Sequence, residues 1–154
     1  MVELKKYSKD NANFDLLLKF LKSVEKEFTP PLTSYMPLKD YLKGLTEKGE
    51  ILYIIEKNKI IGLLGYFEYD KRYNSAYIRI IVMNKEHRDK NYGRLLLKEC
   101  LSDLKNKASA VKITSWSTNK KARLFYEKYG FKLIKHKIDD RGKGIGTLIF
   151  KKTL

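Results

Sequence analysis

Two short stretches of this sequence hold residue types that could do chemistry. The first is His87-Arg88-Asp89-Lys90-Asn91-Tyr92-Gly93-Arg94, where Arg88, Lys90 and Arg94 surround a glycine just as an apolar run gives way to a helical pattern. A helix N-terminus presents unpaired backbone N–H groups and the positive end of the helix dipole, and both suit a phosphate. Gly93 brings no side chain to hold a diphosphate off the backbone, and Asn91 is among the few non-glycine residues that tolerate a left-handed turn. Taken alone, the stretch reads more readily as an ordinary polar connection that contains a glycine.

The second stretch is Asn119-Lys120-Lys121-Ala122-Arg123-Leu124-Phe125-Tyr126-Glu127-Lys128-Tyr129-Gly130-Phe131. Helical spacing puts Ala122, Phe125, Tyr126 and Tyr129 on one face, and core packing accounts for most of it. The Tyr126 hydroxyl stands apart, because a buried phenol needs a hydrogen-bond partner. It is either tied to a structural acceptor such as a backbone carbonyl or kept for a reactant.

The elements that position these stretches follow from periodicity. Val2 to Lys6 reads as a short strand, and from Asn13 the positions Leu17, Phe20, Leu21, Val24 and Phe28 recur at helical spacing. That helix must stop by Thr29, since Pro30 and Pro31 cannot continue its ladder. A shorter helix follows around Leu38 to Thr46, ending before Gly49. The apolar runs 51–55 and 60–67, separated by Glu56-Lys57-Asn58-Lys59, form a hairpin. Ala76 to Met83 is apolar enough to predict a central strand covered on both faces. From Tyr92, Leu96, Leu97, Cys100, Leu101, Leu104 and Ala108 mark one face of a helix, and Ala110 to Trp116 is the next strand. Strand, helix and strand in that order make a right-handed crossover with parallel strands. Lys120 to Lys128 is a helix that Gly130 stops, and 131–138 and 145–151 are the last strands, joined by the polar loop 139–144. The count is about seven strands and about four helices in a single domain spanning 1–154.

A chain of 154 residues with 43% apolar content can bury a sizeable core. Its first residues lack the apolar segment of a secretory signal, and no apolar run is long enough to cross a bilayer, so a cytoplasmic protein with no membrane partner is expected. The lone Cys100, among apolar helix positions, reads as packing; with only His87 and His136 besides, no zinc cluster and no metal are expected. A formal charge of +15 favours anionic ligands or partners without naming one.

In this order and separation the two stretches resemble the GNAT superfamily of acetyl-CoA-dependent N-acetyltransferases. The resemblance spans about Tyr53 to Phe150, with its specific motifs in Ile81 to Gly93 and Asn119 to Phe131. The family's loop reads Arg or Gln, two residues, Gly, one residue, Gly or Ala; here Asn91 stands where the first Gly is expected, whereas the second stretch follows the family pattern throughout. The resemblance implies the GNAT acyl-CoA N-acyltransferase fold, an α+β protein of α/β/α layers around a mixed sheet. It also implies transfer of an acetyl group from acetyl-CoA to a primary amine by direct attack.

In that fold the strand ending Ile81-Val82-Met83 and the strand ending near Trp116 splay apart, and the pantetheine arm pairs like an added strand. Arg88, Asp89, Lys90, Asn91, Tyr92, Gly93 and Arg94 would hold the diphosphate, and an N–H near Val82 or Met83 would polarise the thioester carbonyl. Asn119, with Ala122 and Phe125 on the same helix, would contact the cofactor, and Tyr126 would give the departing thiolate its proton. The general base is not legible: Ile113-Thr114-Ser115-Trp116 contains no carboxylate, and Glu68 and Asp70 are the nearest acidic residues, equally at home at a solvated strand end. Acceptor choice would rest on residues 28–46 and 139–144, with Tyr35, Met36 and Tyr41 either lining a pocket or packing under a loop. Homodimers are common in the family. Two other readings stay open, a non-catalytic acyl-CoA-binding sensor and a basic nucleic-acid-binding protein. The first suits Asn91 and the absent base but leaves Tyr126 without a task, and the second lacks any recognisable nucleic-acid-binding signature.

Overall fold

A computed structural model of the chain describes residues 1–11, 13–70 and 75–154, and the side chains of all of these except 11 and 68–70. The described residues form seven strands and four α-helices: β1 Val2–Lys6, α1 Phe14–Val24, α2 Leu38–Lys48, β2 Glu50–Glu56, β3 Lys59–Asp70, β4 Ser75–Met83, α3 Tyr92–Leu104, β5 Ala110–Trp116, α4 Lys120–Lys128, β6 Lys132–Lys137 and β7 Thr147–Thr153. All strands join one mixed sheet in the order β1-β2-β3-β4-β5-β7-β6. The chain divides into two compact units, one of residues 1–67 and 79–103, the other of 68–78 and 104–154.

In the first unit α1 and α2 lay their apolar stripes on β2, β3 and β4. Leu17, Phe20, Leu21 and Val24 of α1 join Leu38, Tyr41, Leu42 and Leu45 of α2 and Ile51, Tyr53, Leu63 and Ile80 of the strands in one buried cluster. Full burial of an aliphatic or aromatic side chain contributes roughly 1.5–3 kcal/mol, so this cluster holds the helices in place far more strongly than their propensities do. The helix predicted to run towards Phe28 ends at Val24. A 3-10 turn, Glu25–Glu27, follows it, and Phe28 reaches the same core from extended backbone (φ −85°, ψ 149°). The second helix runs on to Lys48, where the Gly49 N–H caps the Leu45 carbonyl at 3.0 Å.

In the second unit β5 pairs in parallel with β4 over Ser75↔Ala110 to Ile78↔Ile113 and antiparallel with β7 along its whole length. The parallel pair with α3 between its strands is the expected crossover. β4 departs from the predicted two-sided burial: Ala76, Ile78 and Ile80 are buried, whereas Tyr77, Ile81 and Val82 are only partly covered and Arg79 is exposed. The last strand starts two residues later than expected, because the Ile145 N–H bonds back to Gly142 O (3.0 Å) and its carbonyl accepts from Arg141 N–H (3.0 Å), which keeps Ile145 in the turn.

Candidate active site

The connection from β4 to α3 is a built turn. Asn84 donates its N–H to Ile61 O (2.8 Å) and accepts the His87 N–H on Oδ1 (3.2 Å). His87 Nδ1 lies 2.6 Å from the same oxygen, so it carries a proton and donates, and Nε2 lies 3.4 Å from Glu56. Arg88 folds back: Nε and Nη2 donate to the Met83 carbonyl at 3.1 and 3.0 Å, and Nη2 also pairs with Glu27. Its guanidinium thus ties the end of β4 to the turn after α1, and Lys90 and Arg94 are the exposed cations that remain. Asp89 (φ 64°) and Asn91 (φ 66°) are both left-handed, the conformation that the sequence anticipates at Asn91. The α3 ladder opens with Leu95 N–H on Asn91 O (3.2 Å), so the N–H groups of Tyr92, Gly93 and Arg94 precede it at the positive end of a 13-residue helix. A helix N-terminus of this kind is a ready anion-binding element, and here two left-handed residues, Asp89 and Asn91, lead into it.

The second half is built on α4. Asn119 is its N-cap, with Oδ1 accepting the Ala122 N–H at 3.2 Å, and Gly130 (φ 90°) ends it as predicted. Tyr126 is the buried member of the anticipated face, and Ala122, Phe125 and Tyr129 are partly covered. Its ring meets Phe150 edge-on at 5.5 Å between centroids, with Phe125 at 5.9 Å and Phe131 at 6.1 Å. Among the described residues no hydrogen bond reaches its hydroxyl. Burial, reinforced by the nearby Tyr77 phenol and partly offset by the Arg141 guanidinium, pushes its ionisation well above the usual tyrosine range. At neutral pH the phenol is protonated.

Around the end of β5 lies a polar cluster from separate segments. Tyr77 Oη is 3.3 Å from Thr114 Oγ1, to which Arg141 Nη2 donates at 3.4 Å. Arg141 Nε donates to Thr147 Oγ1 (3.0 Å), which in turn donates to Asp140 Oδ2 (2.7 Å). The guanidinium carbon stands 6.0 Å from the Trp116 ring centroid.

The chain matches the acetyltransferase (GNAT) family over residues 17–131. It belongs to that family. Solved structures agree on the fold. An acetyltransferase of the GNAT family from Streptococcus pneumoniae superposes with a TM-score of 0.82 at 20% identity, covering 100% of this chain and 99% of its own. The ribosomal-protein-S18-alanine N-acetyltransferase of Escherichia coli gives 0.76 at 15% identity, over 99% and 94% of the two chains. A GNAT family acetyltransferase from Elizabethkingia anophelis with acetyl-CoA bound gives 0.73 at 17% identity, over 99% and 98%. No curated protein matches the sequence significantly.

In this GNAT chain the sequence-selected residues fall into two local groups. Ile81, Val82, Met83 and Arg88 to Arg94 gather at the end of β4 and the start of α3, and Asn119, Ala122, Phe125 and Tyr126 along α4. Cys100 is fully buried, and burial pushes its thiol up, as befits packing. Tyr41 is buried in the first unit's core with the Arg79 guanidinium 5.0 Å from its ring, whereas Tyr35 and Met36 are exposed. The side chains of Glu68 and Asp70 lie outside the described residues. Reasoning from the sequence passed over Tyr77 and Thr114, whose only local signal is strand alternation, and saw Arg141 only as part of a variable loop. Among the described residues no cluster of three or more His, Cys, Asp or Glu side chains could hold a metal ion, and no helix is long and apolar enough to cross a membrane.

Proposed function

We propose that this chain, acting over 1–154 as one catalytic domain, transfers the acetyl group of acetyl-CoA to a primary amine. The observation that carries the reading is Tyr126: a buried, protonated phenol without a hydrogen-bond partner among the described residues, on the helix whose stretch matches the family pattern throughout. A phenol that is not committed to a structural partner is available to a reactant.

In this reading the N–H groups of Asn91 to Arg94 and the left-handed turn bind the diphosphate, with Lys90 and Arg94 adding charge. Arg88 acts indirectly, holding the end of β4 against the turn. The β4–β5 ladder stops at Ile78↔Ile113, and Thr114 to Trp116 pair only with β7 among the described residues, which suits an extended pantetheine arm along these strand ends. An N–H near Val82 or Met83 polarises the thioester carbonyl. Asn119 has its Oδ1 committed to the helix cap, so it contacts the arm through its amide nitrogen. Acetyl-CoA supplies a thioester carbon to which the amine nitrogen bonds as the C–S bond breaks. Tyr126 gives its proton to the thiolate, the amine sheds one proton, and solvent restores the phenol.

The test is release of free thiol from acetyl-CoA across a panel of amines, with mass detection of the acetylated product. A protein that binds acetyl-CoA by calorimetry yet acetylates none of the amines would instead be an acyl-CoA sensor.

A further inference from the structure

We propose that the outer edge of β6 is a docking site for an extended acidic segment of a partner protein, which adds to the sheet as a further strand. The proposal does not rest on the acetyl-transfer reading and is tested apart from it.

β6 ends the sheet and, among the described residues, pairs only with β7, so one row of its N–H and C=O groups faces outward. No turn, loop or side chain among the described residues bonds to 132–137. All six residues of the strand are exposed. A bare edge of this kind is a template for another strand.

The side chains decide what sort of strand it takes. From Lys128 to Ile138 the chain carries Lys128, Lys132, Lys135 and Lys137 and no Asp or Glu. The register sets Lys132 opposite Lys151, Lys135 opposite Ile149 and Lys137 opposite Thr147, so the three β6 lysines share one face of the sheet with Lys151. Among the described residues Lys132, Lys135, Lys137 and Lys151 have no ion pair. Like charges directly opposite, as at Lys132 and Lys151, destabilise the free sheet, and an acidic neighbour relieves them. Leu133, Ile134 and Ile138 stand exposed between the lysines. The wider setting has the same sign: residues 104–154 hold fourteen Lys and Arg against three Asp and Glu, a net +11 of the chain's +15.

These features choose among occupants. A second copy laid along the edge would bring lysine against lysine. His136 is the single ring of the strand, so a single-stranded RNA would find phosphate contacts and little stacking. A peptide in which acidic and aliphatic residues alternate gains all that the edge offers: backbone pairing, charge partners for the lysines, and cover for Leu133 and Ile134.

The experiment titrates the full chain into a fluorescently labelled peptide of alternating Glu and Val, about eight residues long, and follows anisotropy. Three further probes are a Gln-Val peptide, a Glu-Val peptide N-methylated at alternate residues so that it cannot pair as a strand, and a single-stranded oligouridylate. The same titrations are run on the variant Lys132→Glu/Lys135→Glu/Lys137→Glu, with circular dichroism to check its fold. The parent should bind the Glu-Val peptide about tenfold or more tightly than either the Gln-Val or the N-methylated peptide. The triple variant should lose about tenfold for the Glu-Val peptide, the combined worth of several exposed ion pairs, and the loss should shrink as salt is added. Equal binding of Glu-Val and Gln-Val peptides by the parent overturns the proposal, as does an N-methylated peptide that binds as well as the unmodified one. Either result decides even should the triple variant fail to fold. Unchanged affinity in a folded triple variant also overturns it. Oligouridylate bound more tightly than the Glu-Val peptide, and lost in the triple variant, would replace the acidic peptide with a nucleic acid.

Discussion

In the proposed reading the turn from β4 to α3 would offer a ligand its backbone, whereas α4 would offer a single side chain, and the two should tolerate sequence change differently. In the turn, what matters is that Asp89 and Asn91 adopt left-handed φ values and that the first N–H groups of α3 stay unbonded. Asn tolerates that conformation better than most non-glycine residues, and Asn91 adopts it here. On α4 the proposed chemistry rests on one hydroxyl, and no other residue type would present a phenol at that depth. A motif should therefore be read strictly where a side chain acts and loosely where the backbone acts.

The comparison breaks most visibly at Tyr126. Tyr126→Phe should lower kcat by on the order of 10²-fold or more while acetyl-CoA affinity stays within a few-fold. The melting transition should move little, because the hydroxyl has no hydrogen-bond partner among the described residues to lose. Near-parental turnover with thiol release rate-limiting would return Tyr126 to the status of a core aromatic. The pH dependence has a defined sign: burial raises the ionisation of Tyr126, so the acid stays protonated past the ordinary tyrosine value near 10. An alkaline fall in kcat below about pH 9 would point to a different donor.

The backbone half is probed by Gly93→Glu, which places a carboxylate at the first turn of α3. Calorimetry should show acetyl-CoA binding weakened by about tenfold or more, with the circular dichroism spectrum unchanged. Undiminished affinity in a folded variant would move the diphosphate elsewhere.

Smaller effects sharpen the contrast. Asn119→Ala removes the α4 cap and should cost about 1 kcal/mol in denaturant unfolding; an unchanged midpoint would mean that the cap contributes nothing. Asn91→Ala should cost about 1 kcal/mol through its left-handed backbone, whereas Asn91→Gly should be near neutral in both stability and acetyl-CoA affinity. A large loss of affinity in Asn91→Gly would show that the amide itself touches the ligand and that the turn is not a backbone device alone.

What the sequence determined by itself is what local periodicity and local sterics encode. The seven strands and four helices appear where apolar spacing changes from two to near four, and β5 and α4 fall on their predicted bounds. Asn91 and Gly130 take the left-handed backbone that their side chains permit, and Tyr126 faces inward because its neighbours at helical spacing do. What only the tertiary structure decided are contacts between residues far apart in the chain. Arg88 meets Met83 and Glu27, Ile145 is pulled out of β7 by bonds within its turn, and Tyr77, Thr114 and Arg141 meet from three segments. A charged or hydroxyl side chain carries no periodicity of its own, so its partner is set by which strands the sheet brings side by side, and that pairing is settled by burial of the whole core.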